Sequence, residues 1–220
     1  MGSKKRNFAR KKLSMKFIIK TLGNHENLEE TLNKKEFEKF SFVEMEQTHS
    51  DNFIEINEIL EKRQVIPNVD ALITTKKNIL LAVKTADCLP ILIHWNNGND
   101  KNVIAAIHSG RAGTEKKILS KVLKYLKLKY GVGSKKNQTN NLTIWLGSAI
   151  CKECYQIDKK SDLHYDLYQK NIDQIEKSGM IVKIIRSEFC TLHNNDLFHS
   201  YRKSGPGVAM NYSLIGLIES

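Results

Sequence analysis

The sequence predicts a mixed α/β protein of the α+β kind, folded as a single domain over residues 15–220. Three observations carry this. Apolar runs of four to nine residues recur along the chain, too short for helices and bounded by turn residues. Only a few segments have helical spacing. The order of the two kinds is irregular and includes a hairpin, which argues against a regular βαβα succession and a doubly wound sheet. With 220 residues and 40% hydrophobic content, the chain is long enough to bury a substantial core.

Taken in order, MKFIIKTL from Met15 reads as a strand, and NLEETLNKKEFEKF sets Leu28, Leu32 and Phe40 at near-helical spacing. FVEMEQTH alternates and reads as a strand ending at His49. ALITT, ILLAVKTAD, ILIHW and VIAAIHSG are β-type runs, the last two joined by the turn sequence NNGNDK. Residues 114–130 carry Ile118, Leu119, Val122, Leu126 and Leu128 and predict the clearest amphipathic helix, with Thr114 as its N-cap. GVGSKKNQTNN is a polar loop and LTIWLGSAI a strand. Residues 159–177 suit a helix, MIVKII a strand, and GVAMNYSLIGLI a closing strand.

Charge and cysteine content narrow the function classes. The formal net charge is +11, but residues 1–14 hold six Lys/Arg and no acid, leaving about +5 for the rest. That opening is expected to be a disordered, solvated tail ahead of the domain, and nucleic acid is not the expected partner. No apolar run approaches the ~20 residues of a membrane span, and the basic N-terminus lacks the apolar stretch of a signal peptide, so a cytoplasmic, membrane-free protein is expected. Four cysteines are too few for a disulfide scaffold in a chain of this length; they read as thiols, metal ligands or nucleophiles.

His49 in EQTHS, Cys88 in TADCLP and His108 in AAIHSG all fall at ends of predicted strands, where a rigid scaffold presents side chains to a cleft. Two imidazoles and a thiolate suit Zn²⁺. Three protein ligands leave the fourth tetrahedral position for water, whose pKa zinc would lower to about 7. Asp87 would orient a ligand or accept a proton. Cys151, Cys154, Cys190 and His193 spell a second pattern, C-x₂-C followed by C-x₂-H, the format of a structural zinc site, although these residues also suit plain packing. His94 is expected to cap a strand beside Trp95, Trp145 to lie in the core and His164 to face solvent.

The segments TADCLPILIH, AAIHSGRAGT, WLGSAICKECYQID and CTLHNNDLFHSYRKSGPGVAMNYSLIGL resemble, in order, the motifs of a bacterial group known as the polyphenol oxidase (laccase-domain) family, which includes peptidoglycan-editing factors and purine nucleoside phosphorylases. The resemblance runs from about Phe42 to the C-terminus. It implies a layered α/β/β/α sandwich with mixed sheets. It also implies a metal, usually zinc, on His49, Cys88 and His108, with copper the less favoured ion.

Implied activities are purine nucleoside phosphorolysis of the adenosine/inosine kind with adenosine deamination. The alternatives are amide cleavage removing L-serine from UDP-MurNAc precursors, or a Cys88 thiol hydrolase. Whether Cys88 is ligand, nucleophile or both stays open. Arg202, Arg111 and Gln47 are the expected substrate contacts, and small molecules the expected partners of a protein expected to be monomeric. A true multicopper oxidase is disfavoured, because a trinuclear cluster needs more histidines than the five left over. A non-enzymatic binding module would carry no exchangeable metal. The chain departs from the family pattern in HSGRAGT, where Arg111 stands at the usual Trp and Ala112 at the usual Arg. It also departs at Gly147-Ser148, in place of Gly-Pro, and at Phe198-His199.

Overall fold

The computed structural model describes residues 16–58, 61–98, 101–133 and 141–218. The basic tail expected over 1–14 lies outside them, as do Asn99 and Asp100 of the predicted hairpin turn. In chain order the elements are β1 (Lys16–Leu22), α1 (Leu28–Leu32), β2 (Ser41–Met45), β3 (Phe53–Ile56), β4 (Arg63–Ile66), β5 (Ala71–Thr74), β6 (Ile79–Thr85), β7 (Leu89–Asn96) and β8 (Asn102–Ser109). There follow α2 (Arg111–Glu115), α3 (Ile118–Tyr130), β9 (Asn141–Leu146), a 3₁₀ turn (Lys152–Cys154), β10 (Gln156–Asp158), β11 (Leu163–His164), α4 (Leu167–Lys177), β12 (Lys183–Arg186), α5 (Tyr201–Ser204) and β13 (Asn211–Ile218).

Two mixed sheets carry the fold. The first has the order β1-β13-β6-β2-β4 and the second β12-β9-β7-β8-β5-β3; β10 and β11 form a small separate ribbon. Alternation along each strand explains why the sheets stack. In β7, Leu89, Ile91, Ile93 and Trp95 pack with α3 and α4 on the outer face, while Leu92 faces the other sheet. In β8, Ile104 and Ala106 likewise turn inward to meet Leu81, Val83 and Ile215 of the first sheet. The first sheet's own outer face buries Phe42, Leu80 and Leu214 against Phe37 and Phe40, with Leu28 and Leu32 of α1 beside them. The layers are therefore helix, sheet, sheet, helical turn, as the resemblance implies.

Several elements differ from the periodicity. The helix predicted over 114–130 is broken: Lys117 sits at φ 65, a left-handed position that ends α2 and starts α3. Thr114 is not the N-cap. It lies inside α2, buried, with its hydroxyl on Ser109 and Asn171. The stripe still does its work, since Ile118, Leu119, Val122, Leu123 and Leu126 are fully buried, each contributing about 1.5–3 kcal/mol. Leu128 is exposed. α1 covers only five residues of the predicted span, with Asn27 capping it through Glu30 N–H. β2 ends at Met45 rather than at His49, and the helix predicted over 159–177 begins at Leu167, capped by Asp166. β7 and β8 pair antiparallel in register from Leu89↔Ser109 to Asn96↔Asn102, as a hairpin should. No helix of the described residues is long and apolar enough to cross a membrane.

Candidate metal centre

The TADCLP stretch is the point where the chain leaves the first sheet at Thr85 and enters the second at Leu89. Asp87 makes the crossing in a left-handed conformation, φ 87, and delivers Cys88 to the shared end of both sheets. His108 is the penultimate residue of β8 and pairs with Pro90, following the alternation that points Ile104 and Ala106 between the sheets. His49 belongs to a tight loop after β2 and also has positive φ, 55. The three side chains meet. Cys88 Sγ lies 3.8 Å from His49 Nε2, the two imidazole rings are edge to face at 4.7 Å, and one donor atom from each residue falls within 4.8 Å of the others.

Gly110 permits this approach. A Cβ there would stand 2.8 Å from Cys88 Sγ and 3.0 Å from His49 Cδ2, inside contact distance of both.

A residue that sequence reasoning missed holds the cluster together. Asp70, fully buried just before β5, is wrapped by the loop that carries His49. Its Oδ2 accepts from Ser50 N–H at 2.7 Å, Ser50 Oγ at 2.6 Å and Thr48 N–H at 3.2 Å. Its Oδ1 accepts from His49 N–H at 3.1 Å and His108 Nδ1 at 2.7 Å. One carboxylate thus shapes the His49 loop and, by engaging Nδ1, leaves Nε2 of His108 for Cys88 and a metal. Burial opposes the charge on Asp70, but the bonds from His108 and Ser50 hold it well below the usual carboxylate range.

Without a metal, burial disfavours the Cys88 thiolate, yet His108 and His49 draw it down to about 7. Burial likewise opposes a charged His108, and Asp70 and then Cys88 hold it up to about 9. The thiolate is therefore close to the form a metal needs, and metal entry would release the proton from His108 Nε2. Two imidazoles, a thiolate and a buried carboxylate behind one imidazole fit zinc by donor type and by supporting hydrogen bonds.

The other predicted residues fall around this cluster in different ways. Both carboxylate oxygens of Asp87 are engaged, Oδ1 by Thr191 Oγ1 and Oδ2 by Arg202 N–H, each at 2.6 Å. Asp87 thereby ties Cys88's neighbour to the start of α5. Gln47 turns its amide to the backbone of Lys84, donating to its carbonyl at 2.7 Å and accepting from its N–H at 2.8 Å, so it extends β2 alongside β6.

Arg111 opens α2 and is half exposed, 3.6 Å from Glu115. Arg202 donates to Gln156 O at 2.9 Å and lies over the Tyr155 ring at 5.7 Å. Tyr155, not singled out from sequence, is the residue these groups share. Burial raises its hydroxyl pKa, the Cys88 charge raises it further, and Arg111 and Arg202 partly offset both. Tyr165 stands edge to face with it at 6.1 Å. Cys88 thus has the Tyr155 ring for a neighbour, and Tyr155 in turn has two guanidinium groups and a second phenol ring beside it.

Elsewhere, His94 is buried against Asn102 and stacked on Phe17, and half-buried Trp145 packs against the inter-sheet core. An apolar cavity of about 550 Å³, lined by Pro90, Leu92, Trp145, Ile185, Phe189 and Phe198 among others, opens near the β9–β12 side; none of His49, Cys88 and His108 lines it.

A two-sheet sandwich with a His-Cys-His cluster at the sheets' common end defines a class, and comparison with known proteins agrees with it. The chain belongs to the family described as multi-copper polyphenol oxidoreductase laccase, whose model matches residues 21–162 and 158–217. It is 31% identical over 193 residues to a purine nucleoside phosphorylase of Clostridium acetobutylicum, spanning 78% of this chain and 75% of that one. It is 30% identical over 182 residues to a purine nucleoside phosphorylase of Corynebacterium glutamicum, spanning 74% and 69%. Among solved structures it resembles the hypothetical protein YfiH of Bacillus licheniformis, with a TM-score of 0.70 at 20% identity over 86% of this chain and 77% of that one. It also resembles YlmD of Geobacillus stearothermophilus, with a TM-score of 0.65 at 22% identity over 81% and 74%.

Proposed function

We propose that this protein is a zinc-dependent enzyme of purine nucleosides, cleaving adenosine- and inosine-type substrates with phosphate and also deaminating adenosine. The observation that carries the proposal is that the His49–Cys88–His108 cluster borders, through Cys88, on Tyr155, which Arg111 and Arg202 flank. The names of relatives at 30–31% identity support the substrate class.

In phosphorolysis, phosphate oxygen bonds to the anomeric carbon of the ribose as the bond to the purine nitrogen breaks, and the departing base takes up a proton. The attacking species is an anion. Arg202 and Arg111 suit it, because guanidinium groups bind phosphate in paired hydrogen bonds. Tyr155 and Tyr165 suit the flat base. His49, Cys88 and His108 would hold zinc, which when bound would supply Lewis-acid polarisation of an oxygen at the reacting centre. Asp70 keeps His108 in the tautomer that presents Nε2, and Asp87 fixes Cys88 and Arg202 relative to each other.

One observation favours a second reading. Cys88, His108 and Asp70 stand in the serial contact of a nucleophile, base and orienting acid, as a thiol hydrolase of amides would need.

The test is turnover of adenosine and inosine by the zinc-loaded protein, with and without phosphate, with products separated by chromatography. Phosphate-dependent release of free base, abolished by chelation, supports the proposal. Absence of any nucleoside product refutes it. Chelator-resistant, iodoacetamide-sensitive cleavage of an amide such as a seryl-UDP-MurNAc precursor would establish the second reading.

A further inference from the structure

We propose that Cys151, Cys154, Cys190 and His193 form a second zinc site, structural in kind, that clasps the segment after β9 to the segment before α5. Their donor atoms all lie within 4.8 Å of one another. Cys154 Sγ is 3.1 Å from His193 Nε2, and Cys151 Sγ is 3.9 Å from His193 Nδ1. Tetrahedral zinc with bonds of about 2.3 Å to sulfur and about 2.0 Å to nitrogen sets donors roughly 3.5–3.8 Å apart, so the cluster needs to close by about 1 Å at most. Three thiolates and one imidazole complete the shell, which suits a structural site and not a catalytic one.

The backbone is already shaped for it. Cys151 and Cys154 flank a tight turn in which Cys154 N–H and Tyr155 N–H both donate to Cys151 O, at 3.2 and 3.0 Å. Cys190 and His193 flank another, where Asn194 N–H donates to Cys190 O at 2.8 Å. Cys151 N–H points at Cys190 Sγ, 3.3 Å away, the kind of contact that stabilises a metal-bound thiolate. A parallel bridge between Ala149 and Cys190 brings the two turns together.

The clasp sits directly behind the candidate metal centre. Ile150 N–H donates to Asp87 O at 3.0 Å, Thr191 Oγ1 donates to Asp87 Oδ1, and Tyr155 follows Cys154 in the chain. Zinc here would hold Tyr155, Asp87 and the Arg202 segment in one arrangement around Cys88. Binding replaces the thiol protons, which pass to solvent.

The experiment is zinc content per chain by elemental analysis after dialysis against zinc. Wild type should hold two equivalents, Cys154→Ser one and Cys88→Ala one. If Cys154→Ser does not fold, Cys88→Ala decides alone, because it still carries all four clasp residues. With cobalt in place of zinc, Cys88→Ala should keep the intense visible bands of tetrahedral thiolate coordination. Mild chelation of Cys88→Ala should lower its melting temperature. No zinc in Cys88→Ala, or a Cys151–Cys154 disulfide in protein purified under reducing conditions, would overturn the proposal, and so would a single equivalent in wild type that Cys154→Ser keeps.

Discussion

Asp70→Asn removes one negative charge and almost no volume, and the structure says where the damage falls. Oδ1 and Oδ2 of Asp70 both accept backbone hydrogen bonds, from His49 N–H and from Ser50 N–H respectively. An asparagine amide offers one acceptor oxygen and one donor nitrogen. Whichever way it is turned, one of these two backbone N–H groups faces an N–H and loses its partner. Hydroxyls can rotate away and His108 can change tautomer, but a backbone N–H cannot. A buried donor left unpaired costs about 1–3 kcal/mol. Loss of the carboxylate behind a metal-binding imidazole typically costs about 10–100-fold in metal affinity. The expected outcome is a folded protein with a lowered melting temperature and zinc binding at the His49–Cys88–His108 cluster weakened by that factor, read by competition with a chromophoric chelator. Affinity within twofold of wild type together with an unchanged melting temperature would refute the role assigned to Asp70.

Gly110→Ala should abolish metal binding at that cluster without unfolding the protein, as checked by elemental analysis beside circular dichroism, because the new methyl meets both Cys88 Sγ and His49. Arg202→Ala should raise the Michaelis constant for phosphate about tenfold or more, the equivalent of one charge-assisted hydrogen bond, while leaving zinc content unchanged. Glu55→Gln tests stability away from the site. Burial pushes the Glu55 carboxyl up, but Lys129, Tyr125 and Tyr130 donate to it and the net shift is downward. Its contribution is therefore fully present above the unfolded pKa of about 4.3 and is lost as pH falls through the lower folded value. Urea titrations should show Glu55→Gln less stable by about 1–3 kcal/mol at pH 7, with the gap to wild type closing in acid.

The grouping of the three candidate metal ligands was legible where they coincided with strand ends. His49, Cys88 and His108 each follow or close a β-type run, and the fold brings those ends to one place. Asp70 was not legible because Asn-Val-Asp before ALITT has the composition of an ordinary turn. Its importance comes from burial, set by a loop twenty residues earlier in the chain. Gln47 illustrates the reverse: a polar residue two positions from His49 reads as a substrate contact, whereas its amide replaces a missing rung between β2 and β6. The layered architecture was implied by motif order, but the break at Lys117 was invisible, since apolar spacing continues through it while the backbone turns left-handed. Tyr155 was hidden for the same reason as Asp70. Its neighbours Arg111 and Arg202 lie 44 residues before it and 47 after it, and only the folded chain gathers them.

The most direct test of the central claim is phosphate-dependent cleavage of adenosine by zinc-loaded wild-type protein beside His108→Ala, with zinc content measured on the same samples. The account predicts release of adenine only with phosphate present, and loss in His108→Ala of both that activity and one zinc per chain. Cleavage that persists in His108→Ala, or a variant that keeps its full zinc complement, would contradict it.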